Sequence, residues 1–68
     1  MVVIFGKAGC PYTQAARDRY LEEGRPFDYV DVKKDPSALQ RMLQYSGGRR
    51  CVPLIVDEGK VTVGFGGT

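Results

Sequence analysis

An apolar run, Val2-Val3-Ile4-Phe5, passes without a linker into Gly6-Lys7-Ala8-Gly9-Cys10-Pro11, and a polar stretch of good helix formers follows. Consecutive apolar residues rich in β-branching read as a short strand. The strand ends there, and Pro11 suits the first position of a helix. The chain therefore opens as strand, turn, helix, and the turn carries one thiol, Cys10. A sulfur there faces the unpaired N–H groups of the first helical turn, whose partial positive charge favours thiolate over thiol. The thiolate is the nucleophile, so the pattern predicts a reactive sulfur that needs no partnering base. A buried, inert thiol is the alternative reading of Cys10.

The rest of the chain continues in the same alternation. Residues 11–23 read as a helix, with Ala15, Ala16 and Tyr20 at roughly helical spacing, Tyr12 one turn earlier and Gly24 at the end. Phe27 to Val32, rich in aromatic and β-branched residues, reads as a second strand. Asp35-Pro36 is a cap followed by proline at the first helical position, and Leu39, Met42 and Leu43 give the stripe of a short amphipathic helix that Gly47-Gly48 ends. Leu54-Ile55-Val56 is a third strand, Glu58-Gly59 a hairpin turn and Val61 to Val63 a fourth strand. The predicted architecture is one α/β domain over residues 1–68. Its order is β-α-β-α-β-β, a four-stranded mixed sheet with flanking helices. The first three strands are expected to be parallel or near neighbours, and the last two to form an antiparallel hairpin.

Composition removes several function classes. The 68 residues suffice for one small domain, which buries only about 60% of the surface its unfolded chain exposes. The net charge of +2 gives no ground for a nucleic-acid partner or an anionic membrane. No apolar run approaches the length of a membrane span. The first residues lack a basic segment ahead of an apolar core, so no signal peptide is expected, and a cytoplasmic setting with reduced thiols is. The chain has no His, which excludes Cys–His catalysis and imidazole metal ligation. Its 2 Cys, at positions 10 and 51, cannot make a structural zinc site, and no metal is expected.

Three segments resemble the glutaredoxin family, within the thioredoxin fold, and together the likeness spans nearly the whole chain. Gly9-Cys10-Pro11-Tyr12-Thr13 is similar to the family's Cys-Pro-Tyr-Cys. Cys51-Val52-Pro53-Leu54-Ile55 is similar to its Thr-Val-Pro ahead of the third strand, and Gly64-Phe65-Gly66-Gly67 to its glycine-rich turn after the fourth. The chain most resembles a short, glutaredoxin-like branch in which selenocysteine sometimes takes the place of the nucleophilic cysteine. Two departures stand out. Thr13 replaces the second active-site Cys, and the sequence ends where the family begins a further helix. A minimal thioredoxin-like domain without that C-terminal helix would leave apolar sheet surface uncovered, which implies a homodimer through that face or docking to another protein.

The resemblance assigns roles by position. Cys10 is the nucleophile. Thr13, one turn on, can donate a hydrogen bond to the sulfur, or can be an ordinary first-turn residue bonded to its own backbone. Val52-Pro53 is implied to be a cis peptide whose backbone pairs with glutathione or an extended peptide. Cys51 precedes it, and is either a resolving thiol within reach of Cys10 or a small strand-end residue; sequence leaves both open. Lys7 and Arg50 match positions that hold the glycyl carboxylate of glutathione, against the alternative of solvated charge, and Lys7 can also favour the thiolate. Tyr12 flanks the ligand or packs on its helix. Gly66, Gly67 and Thr68 stand where the family binds the other end of glutathione, with Thr68 in place of an acidic residue.

The function so implied is a thiol–disulfide oxidoreductase. It would reduce glutathione mixed disulfides or protein disulfides through Cys10, with glutathione as co-substrate and a second glutathione or Cys51 releasing the adduct. An iron–sulfur carrier of monothiol glutaredoxin type is the alternative from another class, ranked lower because Pro11 and Tyr12 crowd the site. A redox module that docks to an enzyme is a third.

Overall fold

The computed structural model describes residues 1–66 and contains β1 (Val2–Gly6), α1 (Pro11–Glu22), β2 (Asp28–Asp31), α2 (Pro36–Ser46), β3 (Leu54–Asp57) and β4 (Lys60–Val63). The strands form one mixed sheet in the order β2-β1-β3-β4. This is the minimal thioredoxin-like arrangement expected from the sequence. Among the described residues no helix is long and apolar enough to cross a membrane.

Strand β1 is apolar throughout because both of its faces are covered. Val2 and Ile4 point to α1, where they pack with Ala16, Tyr20 and Ile55. Phe5 points to α2, with Val32, Ala38, Met42 and Leu54. The two sets alternate along β1 with the period of a strand.

Strand directions refine the expectation. β1 pairs in parallel with β2, Phe5 opposite Val30, through α1 as the crossover. β3 adjoins β1 but runs antiparallel to it, with Phe5 opposite Leu54 and Val2 opposite Asp57. Chain lengths explain this. Helix α2 is 11 residues, about 16 Å long. Residues 47–53 can reach about 23 Å when extended, so they carry the chain back to the end where α2 began. The return sets Arg50, Cys51 and Val52 beside the Cys10 end of β1. The hairpin then closes through Glu58 (φ 50°) and Gly59 (φ 84°), the left-handed pair of a two-residue turn, giving the antiparallel pairing of β3 with β4.

Two expectations change. The buried stripe of α1 is Thr13, Ala16 and Tyr20, while Tyr12 and Ala15 are exposed. The stripe starts at Thr13 because Gly6 beneath it has no side chain. The apolar sheet surface expected to lie open is also not found among the described residues. Ile55, which faces α1, is 4% exposed under Tyr20 and Phe65, and its β4 neighbour on that face is Thr62.

Candidate functional site

Cys10 is the N-cap of α1, with extended backbone (φ −88°, ψ 115°), and Pro11 follows at the first helical position. Gly9 (φ 80°) turns the chain into the cap, a conformation that favours glycine. The Cys10 carbonyl accepts the first helical bond from Gln14 N–H (3.1 Å), and the sulfur is half-buried.

The Cys10 thiol is held below its ordinary range, and the first cause is the Thr13 hydroxyl. Partial burial opposes ionisation. The backbone N–H groups of Thr13 and Tyr12 and the charge of Lys7 act in its favour. The helix end thus contributes, as expected, but the hydroxyl contributes more. Thr13 is 1% exposed, and its Oγ1 makes no hydrogen bond of full geometry. A neutral thiol is a weak acceptor and a thiolate a strong one, so ionisation of Cys10 supplies the partner this buried hydroxyl lacks.

The loop before β3 forms the facing wall. Val52-Pro53 is a cis peptide, as the resemblance implied. Pro53 is buried and its carbonyl accepts from Gly64 N–H (2.8 Å), which pins the loop to the end of β4. Cys51 is half-buried and, like Cys10, a free thiol. Val52 opens onto a groove of about 410 Å³ that also collects Lys7, Arg50 and Lys33 over an apolar floor including Leu39 and Met42. Lys7 and Arg50, separated by 43 positions in the chain, therefore share one concavity. On the other side of Cys10, Tyr12 is 41% exposed and lies against Gly66, where a Cβ would stand 3.3 Å from its ring. Gly67 and Thr68 lie outside the described residues.

Several contributors escaped the sequence reading. Asp31, at the end of β2, accepts from the N–H groups of Lys33 (2.8 Å) and Lys34 (3.2 Å). Burial pushes its carboxyl up, but those bonds and one from Ala8 N–H outweigh it and hold the group below its ordinary range. The Ala8 contact ties the loop before Cys10 to the end of β2. Tyr29 is pushed up, first by burial and then by Asp31, and the Cys10 charge adds to the effect. Its ring carries the Arg17 guanidinium at 4.1 Å. The parallel pairing of Ile4 with Tyr29 sets this ring on the α1 side, a placement no local motif announces.

Comparison with known proteins agrees with this geometry. The glutaredoxin family model matches residues 2–62. A Bacillus subtilis (strain 168) protein named N-acetyl-S-hydroxy-L-cysteine reductase is 33% identical over 54 residues, which is 79% of this chain and 57% of that relative's length. The chain thus spans little more than half of the curated relative it matches. The crystal structure of a glutaredoxin from Archaeoglobus fulgidus superposes with a TM-score of 0.85 at 21% identity, over 96% of this chain and 75% of that one, a likeness of fold. A buckwheat glutaredoxin–glutathione complex gives 0.77 at 26% identity, over 93% of this chain and 59% of that one. The family match takes in the strand, the Cys10 cap, both helices and the cis-proline loop, and by it this chain belongs to the glutaredoxin family.

Proposed function

We propose that this protein is a thiol–disulfide oxidoreductase that reduces mixed disulfides of glutathione, with Cys10 as the attacking sulfur. The setting of Cys10 carries the reading: a half-buried N-cap thiol, acidified by the Thr13 hydroxyl, two helix N–H groups and Lys7. The Cys10 thiolate attacks the glutathione sulfur of the mixed disulfide. A bond forms between those two sulfurs, the original S–S bond breaks, and the substrate leaves as a thiolate that takes a proton from water. A second glutathione thiolate attacks the glutathione sulfur on Cys10, releasing Cys10 and forming glutathione disulfide. In balance, one mixed disulfide and one glutathione thiol give one substrate thiol and one glutathione disulfide, a thiol–disulfide exchange that Cys10 carries in two steps. The glycyl carboxylate would lie between Lys7 and Arg50, and the cysteinyl backbone would pair with Val52, flanked by Tyr12. Pro53 shapes that edge, and the Gly66, Gly67 and Thr68 segment would meet the other end. A cytoplasmic setting suits this chemistry, since thiols are kept reduced there.

The Bacillus subtilis relative brings a second substrate to the same first step. Its name describes reduction of an S-hydroxy-cysteine derivative. Cys10 thiolate attack on such a sulfur would form a mixed disulfide and expel hydroxide, which a proton turns into water. A further thiol would then release the adduct.

The test is intact-mass spectrometry after exposure to glutathione disulfide, with Cys10→Ser and Cys51→Ser alongside. One glutathione on Cys10, retained in Cys51→Ser and absent in Cys10→Ser, supports the reading. A loss of two hydrogens instead assigns the resolving role to Cys51. Alkylation of Cys10 no faster than that of free cysteine overturns it.

A further inference from the structure

The groove beside Cys10 carries more positive charge than one carboxylate uses. Lys7, Lys33 and Arg50 all line it, and all three are exposed. The acids nearest in the chain are already engaged. Asp31 accepts from the N–H groups of Lys33 and Lys34, and Asp35 caps α2 by accepting from Ser37 (3.0 Å) and Ala38 (3.3 Å). Among the described residues none of the three cations has an ion pair; the charge pairs there are Met1 with Glu58, Arg19 with Glu23 and Arg25 with Asp57. Among the described residues no acidic side chain lines the groove. Three like charges around one concavity repel one another, and an anion of higher charge relieves more of that repulsion than a single carboxylate does. Between the cations the floor is apolar, with Leu39, Met42 and Val52. At about 410 Å³ the groove has the size of a small-molecule site.

We propose that the groove selects low-molecular-weight thiols whose tail carries two or more negative charges on an apolar linker, and that Lys33 reads the charge beyond the first. Lys7 and Arg50 suffice for one carboxylate. Lys33 follows Val32, which is buried in the α2-side core, so its backbone position is fixed by packing and by the Asp31 bonds. The ligand chemistry is a dianionic tail, as a dicarboxylate or a phosphate. The proposal rests on the reading of Cys10 as nucleophile given above.

The experiment uses mixed disulfides of 2-thiopyridine with thiols of graded charge. These are 2-mercaptoethanol (neutral), 3-mercaptopropionate (one charge), mercaptosuccinate (two carboxylates) and pantetheine 4′-phosphate (a phosphate). Cys10 attacks the tail-bearing sulfur, the Cys10–S–S–tail bond forms, and 2-thiopyridone leaves and is followed by absorbance. Each second-order rate constant is divided by that of free cysteine with the same probe. The expected ratio rises about two- to fivefold with each added charge at low ionic strength and flattens in about 1 M salt. Lys33→Gln brings the dianion-to-monoanion ratio close to one, while the monoanion-to-neutral ratio persists. The two dianions identify which anion the groove prefers. A dianion that gains nothing over the monoanion, or a gain that Lys33→Gln leaves untouched, overturns the proposal alone. A neutral probe that reacts no faster than with free cysteine removes the nucleophile reading, and this one with it.

Discussion

The side chain of Thr13 fills the space a side chain at Gly6 would occupy: a Cβ on Gly6 would lie 2.3 Å from Thr13 Cγ2 and 2.8 Å from Oγ1. The end of β1 and the first turn of α1 are therefore in direct contact at the one position where the strand lacks a side chain. The contact holds in place the hydroxyl that acidifies Cys10. It also explains a glycine in the interior of the sheet, where Gly6 pairs with Asp31 and accepts from Val32 N–H (2.9 Å).

Gly6→Ala tests that contact. The methyl group must displace Thr13 or lift α1 off β1, and overpacking of this kind costs about 1–3 kcal/mol. The expected outcome is a lower denaturation midpoint together with a less acidic Cys10, measured by the pH dependence of iodoacetamide alkylation. Unchanged acidity would mean that the hydroxyl keeps its place without the glycine.

Thr13→Val separates the hydroxyl from the packing. The replacement has nearly the same shape, and with the thiol protonated Oγ1 has no hydrogen-bond partner to lose, so stability should hold or rise at pH values where Cys10 is neutral. The Cys10 thiol should become less acidic, since its largest acidifying influence is gone, and alkylation at neutral pH should slow. Thr13→Ser should keep the acidity and lose only packing. The sign for stability follows. A depressed thiol contributes stability at pH values above its unfolded value and loses it as pH falls through the folded one. The wild type should therefore gain stability across that interval, and Thr13→Val, which keeps the two helix N–H groups and Lys7, should gain less.

Local chemistry made most of the fold legible. Cys10-Pro11 and Asp35-Pro36 announce two helix starts, and both are found as caps, Asp35 with its carboxylate on two N–H groups. Gly47 ends α2 in the left-handed conformation, and Glu58-Gly59 closes the predicted hairpin. The illegible features depend on how elements lie across one another. Tyr12 and Ala15 have helical spacing to Tyr20, yet Thr13 is the buried residue, because α1 is rotated to seat it on Gly6. The antiparallel direction of β3 depends on the length of residues 47–53, and the place of Lys33 in the groove depends on that same return. A glycine at the end of a strand of β-branched residues is the sign of close approach that the sequence offers.

Asp57 joins three segments and makes stability depend on pH. Its carboxylate accepts from Arg25 (2.6 Å) and from the Tyr20 hydroxyl (3.0 Å), linking β3 to the end of α1 and the following loop. The Arg25 bond is the first cause that holds this carboxyl below its ordinary range, with burial opposing and Tyr20 assisting. A depressed carboxylate adds stability above its unfolded value and loses it as pH falls through the folded one. Asp57→Asn should therefore lower the urea midpoint at neutral pH, and the gap from wild type should close in acid. A gap of constant size from neutral pH to acid would mean that shape, and not charge, holds the junction.

Phe65 supplies the cover that Ile55 needs on the α1 side of the sheet. It packs against the cluster of Val2, Ile4, Ala16, Tyr20 and Ile55, and the Arg19 guanidinium lies 5.7 Å from its ring centre. Removing a half-buried aromatic ring forfeits about 1–3 kcal/mol of apolar burial. Phe65→Ala should lower the unfolding free energy by that amount, with a lower denaturation midpoint, and raise binding of a hydrophobic dye, because Ile55 becomes accessible. Exposed apolar surface of this kind finds partners, so the variant should also self-associate more than the wild type in sedimentation velocity. The opposite result, a wild type that is already dimeric and a Phe65→Ala variant that is monomeric, would mean that Phe65 belongs to an interface and not to the core.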